Sequence, residues 1–503
     1  MRTLYRASLV RTLGHVPDGS WVLVDDRHVQ RVGSGDPPEA DRTVDLPGTT
    51  IVPGFVDGHV HLTSTGLSLG EADVERARSA DELIALARGR AVTEHEPVVF
   101  LRGYDETSWD DPAMPSLEDL DAATDRPLVI RRADGHVALA NTAALTFARA
   151  LDADGCQRLD GRATGLVTKE ANRRVGRCVA DARSEHRIEE LQLAAAAEAA
   201  AAGITSVHEM AMPEDDGFRD LEVLLRHRAR LPVDVHAVAA STDVARVLDL
   251  GLRAIGGDLP SDGSIGARTA ALTEPYTEGE GSGATYYADD VLAAFFHDAH
   301  DAGLQAGIHA IGDRAIEQVL TAWERVYHAL DSRERRHFRA RRHRVEHFEM
   351  ASAEQIERAA VLGLAVCIQP AFDARWGGPD GLYERALGIP RARSLNPFRT
   401  MLERGLGVGA GSDAPVTPLG GWSAVFAMES HHDPAQRVDR TTAVRVHTAG
   451  GAHLEHREER KGVLAPGFRA DMAAYDEDPL VAEDVAKLRP VLTVSMGREV
   501  HAS

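Results

Sequence analysis

The chain has 503 residues, 43% of them hydrophobic and 27% charged, the make-up of an ordinary globular protein with ample core. Its 78 acidic against 56 basic side chains give a formal net charge of -22, a surface that repels nucleic acid and anionic membrane. Cys156, Cys178 and Cys367 lie far apart and form no CxxC pair, which argues against a disulfide framework and against a thiolate zinc site.

The first residues, MRTLYRASLVRTLGHV, lack the continuous apolar stretch of a secretory leader. No run of about 18 apolar residues follows. A cytoplasmic protein with a small-molecule substrate, and with neither nucleic-acid nor membrane partners, is expected. Residues 1–52 read as short strands between turns, and SWVLVDDRHVQRVG alternates apolar and polar positions on either side of Asp25-Asp26, as a hairpin does. Residues 53–455 have another rhythm. The Ala-rich helix LQLAAAAEAAAA ends at Gly203 and passes directly into the strand ITSVHEM, with the glycine suited to a left-handed helix end. HDAHDAG into LQAGIHA, QIERAAVLG into LAVCIQP, and TMLERG into LGVGAGSD repeat the pattern. Helices alternating with short apolar strands imply a parallel sheet, and without a dinucleotide-type glycine fingerprint a closed barrel is favoured over an open sheet. Residues 456–503 return to strands, MAAYDEDP and VLTVSMGREV. The expected fold is α/β: a TIM-like (β/α)8 barrel over residues 53–455, with a small β-sandwich domain formed jointly by residues 1–52 and 456–503.

The chemistry lies at strand ends. In PGFVDGHVHL, His59 and His61 are two apart on a strand and project to the same side, where two imidazoles can share one metal ion. In a barrel that side can be the interior near the C-terminal rim, where active sites gather. His309 ends LQAGIHA, His347 ends RHRVEHF, and Asp413 ends LGVGAGSD, where Gly409 and Gly411 would let the backbone run close to a ligand. His343 lies four residues before His347, about 13 Å deeper along a strand, and reads as structural. One histidine at a strand end is ordinarily a hydrogen-bonded structural residue, and one aspartate an N-cap. Four histidines and one aspartate at separate strand ends of one repeated architecture read as a metal site. Imidazoles and carboxylates suit zinc, with manganese, iron or nickel as other candidates. Such an ion acidifies a water and polarises a carbonyl, and Asp413 is the natural general base beside that water.

The set HxH, a histidine in HAIGD, another in HRVEH, and a terminal SD resembles the amidohydrolase superfamily. DGSIGARTAAL, DGHVALANTAAL and GVLAPGFRADMAAYDEDP are similar to the pattern of its YtcJ-like branch, which includes N-substituted formamide deformylase. The likeness runs over nearly the whole chain. It implies that His59, His61, His309, His347 and Asp413 are metal ligands or base, and that His136 and Asn141 lie near the substrate with Arg268, Gln369 and Tyr104. It also exposes a departure. Many members bridge two metals with a carboxylated lysine just before the DGS motif, and Asp258 stands there in this chain, with no lysine between residues 170 and 460. Asp258 as a bridge, a contribution from Glu209, and a site holding a single ion remain open, all three ahead of Lys169. The implied reaction is hydrolysis of a non-peptide carbon–nitrogen bond in an amide, formamide or cyclic amide, with one or two divalent ions. A deaminase on the same barrel, or a metal- or metabolite-binding homologue without turnover, are the alternatives. A homodimer would suit an enzyme of this kind.

Overall fold

Seven strands drawn from both ends of the chain pair into one continuous sheet in the computed structural model, which describes every residue except 71–73, 75, 94, 107, 108, 110, 112, 133–136, 213–217, 279 and 280. Arg2–Val10 lies between Gly19–Asp25 and Arg42–Pro53, and Arg42–Pro53 pairs antiparallel with Met472–Tyr475 from the other terminus. The expected hairpin is present: Gly19–Asp25 and His28–Gly33 turn at Asp26, whose φ of 52° is the left-handed value a tight turn demands. Val22, Val24, Ile51, Met472 and Val494 form the buried cluster of this region, so the two termini are joined by apolar packing as well as by hydrogen bonds. The joining of the ends agrees with the sequence reading. The hydrogen bonding, however, runs through one ladder, where two facing sheets were expected.

Parallel strands follow. Phe55–Val60, Ile204–Ala211, Asp234–Ala239, Ala254–Ile255 and Gln305–Ala306 form one sheet, and His309–Ala310, Arg344–His347, Ala365–Ile368 and Gly407–Ala410 a second. The same stretch of chain, residues 305–310, serves both sheets. Backbone bridges also join Val60 to Ala414 and Pro260 to His309, so the parallel array curls. The helix–glycine–strand rhythm holds at each place it was read: Gly203, Gly303, Gly363 and Gly405 all have φ between 72° and 80°. Helix Ala353–Leu362 shows why. Ser352 and Gln355 close a capping box at its start, Gly363 reverses the chain at its end, and Ala365–Ile368 begins at once.

The contacts divide the chain into two compact units, which the sequence reading did not foresee. The first comprises residues 1–65, 193–212 and 224–503; the second comprises 66–192 and 213–223. The second carries its own five-stranded mixed sheet, with Val99–Tyr104 parallel to Leu128–Arg132 and antiparallel partners beyond. No linker or change of composition marks its start, because its buried strands use the same Val, Leu and Ile as the parallel sheets. Among the described residues no helix is long and apolar enough to cross a membrane.

His343 takes the structural part assigned to it. It is fully buried, accepts from the Ala306 amide at 3.0 Å, and stacks on Trp323 with centroids 4.2 Å apart. Trp323 also stacks flat on Phe296 at 3.8 Å, tying helix Asp313–Ala329 to helix Asp289–Asp301. Trp323→Ala is expected to cost about 3–5 kcal/mol in urea unfolding, and a loss below about 1 kcal/mol would show that this stack does not hold the helices.

Candidate metal centre

Each expected ligand sits at or just beyond the C-terminal end of a parallel strand. His59 and His61 close Phe55–Val60, His347 is the last residue of Arg344–His347, and Asp413 and Asp258 follow Gly407–Ala410 and Ala254–Ile255 by three residues. Strands that run parallel bring their ends to one side, so residues distant in sequence meet there.

They converge closely. Asp258 Oδ1 is 3.1 Å from His347 Nε2, 3.2 Å from His309 Nδ1 and 3.6 Å from His59 Nε2, and its Oδ2 is 3.5 Å from His61 Nε2. Asp413 Oδ1 is 3.1 Å from His61 Nε2 and 3.5 Å from His59 Nε2. Two overlapping donor sets result, His59–His61–Asp413 and His59–Asp258–His347.

The other ring nitrogen of each histidine is held by protein, which decides what faces inward. The His61 Nδ1–H donates to the Met210 carbonyl at 2.8 Å; a carbonyl only accepts, so in the neutral ring Nε2 presents the lone pair. His59 Nδ1 donates to Glu346 at 2.9 Å, and His347 Nδ1 to the Gln369 side-chain oxygen at 2.8 Å. His309 is turned the other way, with Nε2 3.4 Å from the Gly263 carbonyl and Nδ1 towards Asp258. Partners of this kind fix tautomer and orientation in metal-binding histidines.

The donors fit a divalent ion. His59 Nε2 is buried among carboxylates without a hydrogen-bond partner. Imidazole and carboxylate together suit zinc or a neighbouring transition metal. The backbone is constrained at the same place: His347 at φ 69° and Asp413 at φ 54° are left-handed non-glycine residues, a strain of about 1–3 kcal/mol each that persists only where the surroundings enforce it.

Residues not singled out in the sequence complete the support. Arg344 donates to both Glu346 oxygens, from Nε at 2.8 Å and Nη2 at 2.9 Å, and to the Gly58 carbonyl at 3.0 Å. Burial opposes ionisation of Glu346, but Arg344 and His59 override it and hold the acid down to about 2. Asp57 accepts from the Ser412 amide at 2.9 Å and the His59 amide at 3.2 Å, joining the two ligand-bearing segments. Asp262 of the DGS motif accepts from the amides of Ala271, Ile311 and Gly312 and so fixes the loop around His309. An arginine and a glutamate on a short buried strand, Arg344 and Glu346, were the one legible signal, since such charges are buried only as pairs.

The other residues singled out in the sequence take these positions. Gly409 and Gly411 serve contacts within the protein: a Cβ at Gly411 would lie 2.5 Å from the His59 nitrogen, and one at Gly409 2.6 Å from Leu454. Gln369, expected beside the substrate, is 2% exposed and orients His347. Arg268 is held within its own loop by the Ile265 and Gly266 carbonyls and Glu278, over the Tyr276 ring. Asn141 caps helix Thr142–Phe147, and its amide is used by the Leu128 and Ala144 nitrogens and the Thr124 and Arg126 carbonyls. Tyr104 is fully buried in the second unit's core with Leu101 and Trp109. His136 lies outside the described residues. Glu209 accepts from the Leu62 amide at 2.6 Å, and Lys169 is exposed beside Asp154 at 3.4 Å.

A parallel α/β array with histidine and aspartate donors gathered at its strand ends is the architecture of a metal-dependent hydrolase. Residues 42–501 match the amidohydrolase family, and the chain belongs to that family. It is 27% identical to YtcJ of Bacillus subtilis, named as an amidohydrolase, over 97% of this chain and 96% of that one. It is 25% identical to N-substituted formamide deformylase of Arthrobacter pascens, over 88% and 86% respectively. The crystal structure of an uncharacterized metal-dependent hydrolase from Pyrococcus furiosus superposes with a TM-score of 0.80 at 25% identity, covering 95% of this chain and all of that one (100%). The expected YtcJ-like branch agrees with these relatives.

Two predictions follow from the geometry. Glu346→Gln removes the charge that holds His59, and should weaken divalent-ion affinity by about 10–100-fold in competition with a chromophoric chelator; unchanged affinity would show that Glu346 does not support the site. Without metal, burial disfavours imidazolium, yet Asp258 and Asp413 push His59 up to about 10, and Asp258 with Asp262 pushes His309 to about 9. Both rings are raised above their ordinary 6.5, so they stabilise the metal-free protein fully below that pH and lose this as pH rises through about 9 to 10. Asp258 and Asp413 hold His61 well above its ordinary value too, so metal uptake at pH 7 should release about three protons, measured by calorimetry in buffers of different ionisation heat. Zero release would contradict the protonated rings.

Proposed function

We propose that this chain hydrolyses a non-peptide carbon–nitrogen bond in a small amide, formamide or cyclic amide. The observation that carries this reading is the convergence of four imidazoles with Asp258 and Asp413 at the strand ends. The formamide deformylase and YtcJ relatives support the bond class.

The strand pairings support an eight-stranded (β/α) barrel over residues 53–455, flanked by a small β domain from residues 1–52 and 456–503, with the second unit entering after the first barrel strand. In this arrangement His59, His61, His309, His347, Asp258 and Asp413 hold the metal, zinc before manganese, iron or nickel. When bound, the ion supplies an acidified water and a polarised scissile carbonyl. Asp413 takes the proton of the attacking water and returns it to the leaving nitrogen, so that the amine departs neutral. Its φ of 54° and the hydrogen bond from its own amide to the His59 carbonyl at 2.8 Å hold the carboxylate on the ligand side. Asp258 touches all four imidazoles, which supports a pair of ions sharing it over a single ion.

Elemental analysis of protein purified without chelator should find about two equivalents of divalent metal, falling to about one or fewer in Asp258→Ala. One equivalent in the parent protein would overturn the shared-carboxylate version. For activity, a zinc-loaded sample is screened against N-substituted formamides, N-acyl amines and cyclic amides with detection of released amine. Asp413→Asn should lower turnover by about 10²–10⁴-fold. Full metal loading without turnover of any of these classes would overturn the hydrolytic reading.

A further inference from the structure

The parallel strands that carry the metal ligands at their C-terminal ends begin around a second cavity, of about 600 Å³. Asp234 and Gln305 are the first residues of their strands and Arg253 immediately precedes another, so this cavity lies at the opposite end of the strands from His59 and Asp413. Its volume is that of a small-molecule site.

The charge of its lining runs against that of the chain. In a protein of net charge -22, four arginines, Arg228, Arg253, Arg341 and Arg457, face this space together with only two carboxylates, Asp234 and Glu455. Both carboxylates are already engaged. Asp234 pairs with Arg469 at 2.6 Å and Lys461 at 3.4 Å, and Glu455 pairs with the buried Lys461. Among the described residues, Arg228, Arg253 and Arg341 have no carboxylate partner. Ring and guanidinium nitrogens in the lining are likewise unsatisfied: Arg341 Nε and His236 Nε2 are buried without a hydrogen-bond partner. Arginines left over from the local ion pairs, beside buried polar atoms without partners, make a lining that recognises an oxyanion by charge-assisted hydrogen bonds.

We propose that this cavity is a binding site for a small oxyanion of the carboxylate or phosphate class, separate from the metal centre. Arg253, Arg341 and Arg228 supply the charge, and the Asp234–Arg469–Lys461–Glu455 cluster, with two charges of each sign, forms a neutral floor. The ligand is small because the space is about 600 Å³, and anionic because the surplus charge of the lining is positive.

Calorimetric titration of the metal-loaded protein with inorganic phosphate and, separately, with succinate tests this. Three further proteins are titrated alongside: Arg253→Gln, the triple variant Arg228→Gln/Arg253→Gln/Arg341→Gln, and His59→Ala. Arg228 and Arg253 are exposed, so Arg253→Gln alone keeps the test valid if the triple variant folds poorly. Saturable binding of one anion in the parent and in His59→Ala, weakened by about tenfold or more in the triple variant and measurably in Arg253→Gln, is expected. Preference for phosphate or for succinate then identifies the class. The proposal is overturned if neither anion saturates, if the arginine variants bind as the parent does, or if binding disappears in His59→Ala, which would place the anion at the metal centre.

Discussion

Asp258 and Asp413 are held against four imidazoles in a place that water scarcely reaches, and this concentration of electron-pair donors is the constraint around which the first unit is arranged. Such a cluster is costly when its charges and lone pairs are unmatched, and a divalent cation is the group that matches them. The structure shows what holds the cluster together. Asp57 clamps the His59 and Ser412 backbones, Gly411 lets one strand end press on another, and His347 and Asp413 keep left-handed backbones. None of these features stabilises the fold by itself. Together they place carboxylate and imidazole atoms within ion-pair distance of one another.

Behind the cluster a line of buried charge runs through the parallel array. His59 bonds to Glu346, Glu346 to Arg344, and Arg344 Nη1 lies 3.0 Å from His208 Nδ1. His208 is 3.6 Å from Glu455, which pairs with Lys461. Burial lowers His208 and takes His236 down to about 3, so these rings stay neutral while the carboxylates and cations around them remain charged. A buried ion pair is a weak source of net stability, because desolvation offsets most of the attraction. Its value here is positional: the fork of Arg344 fixes both Glu346 oxygens, and Glu346 fixes the ring of His59.

The residues expected on the substrate side share a physical feature. Arg268, Gln369, Asn141 and Tyr104 are polar or aromatic residues in loop-rich, chemistry-like sequence, and each is used to hold the protein. Asn141 shows it most clearly, since a helix cap and a substrate contact ask for the same short amide at the same kind of turn. The second unit was invisible for a related reason. Its strands are as short and apolar as those of the parallel sheets, and strand composition records burial without recording which sheet does the burying.

The sequence by itself determined the local matters: the helix–glycine–strand rhythm, the hairpin at Asp26, the pairing of the two termini, and the placing of four histidines and Asp413 at strand ends. These depend on periodicity, on backbone conformations that glycine tolerates, and on side chains placed at strand ends, all of which act over a few residues. Only the tertiary structure decided that Asp258 stands among all four imidazoles, that Glu346 and Gln369 aim two of the rings, and that residues 66–192 and 213–223 form a unit of their own. Each of those facts is a distance between segments tens to hundreds of residues apart, set by how the strands pair, and no short-range pattern carries that information.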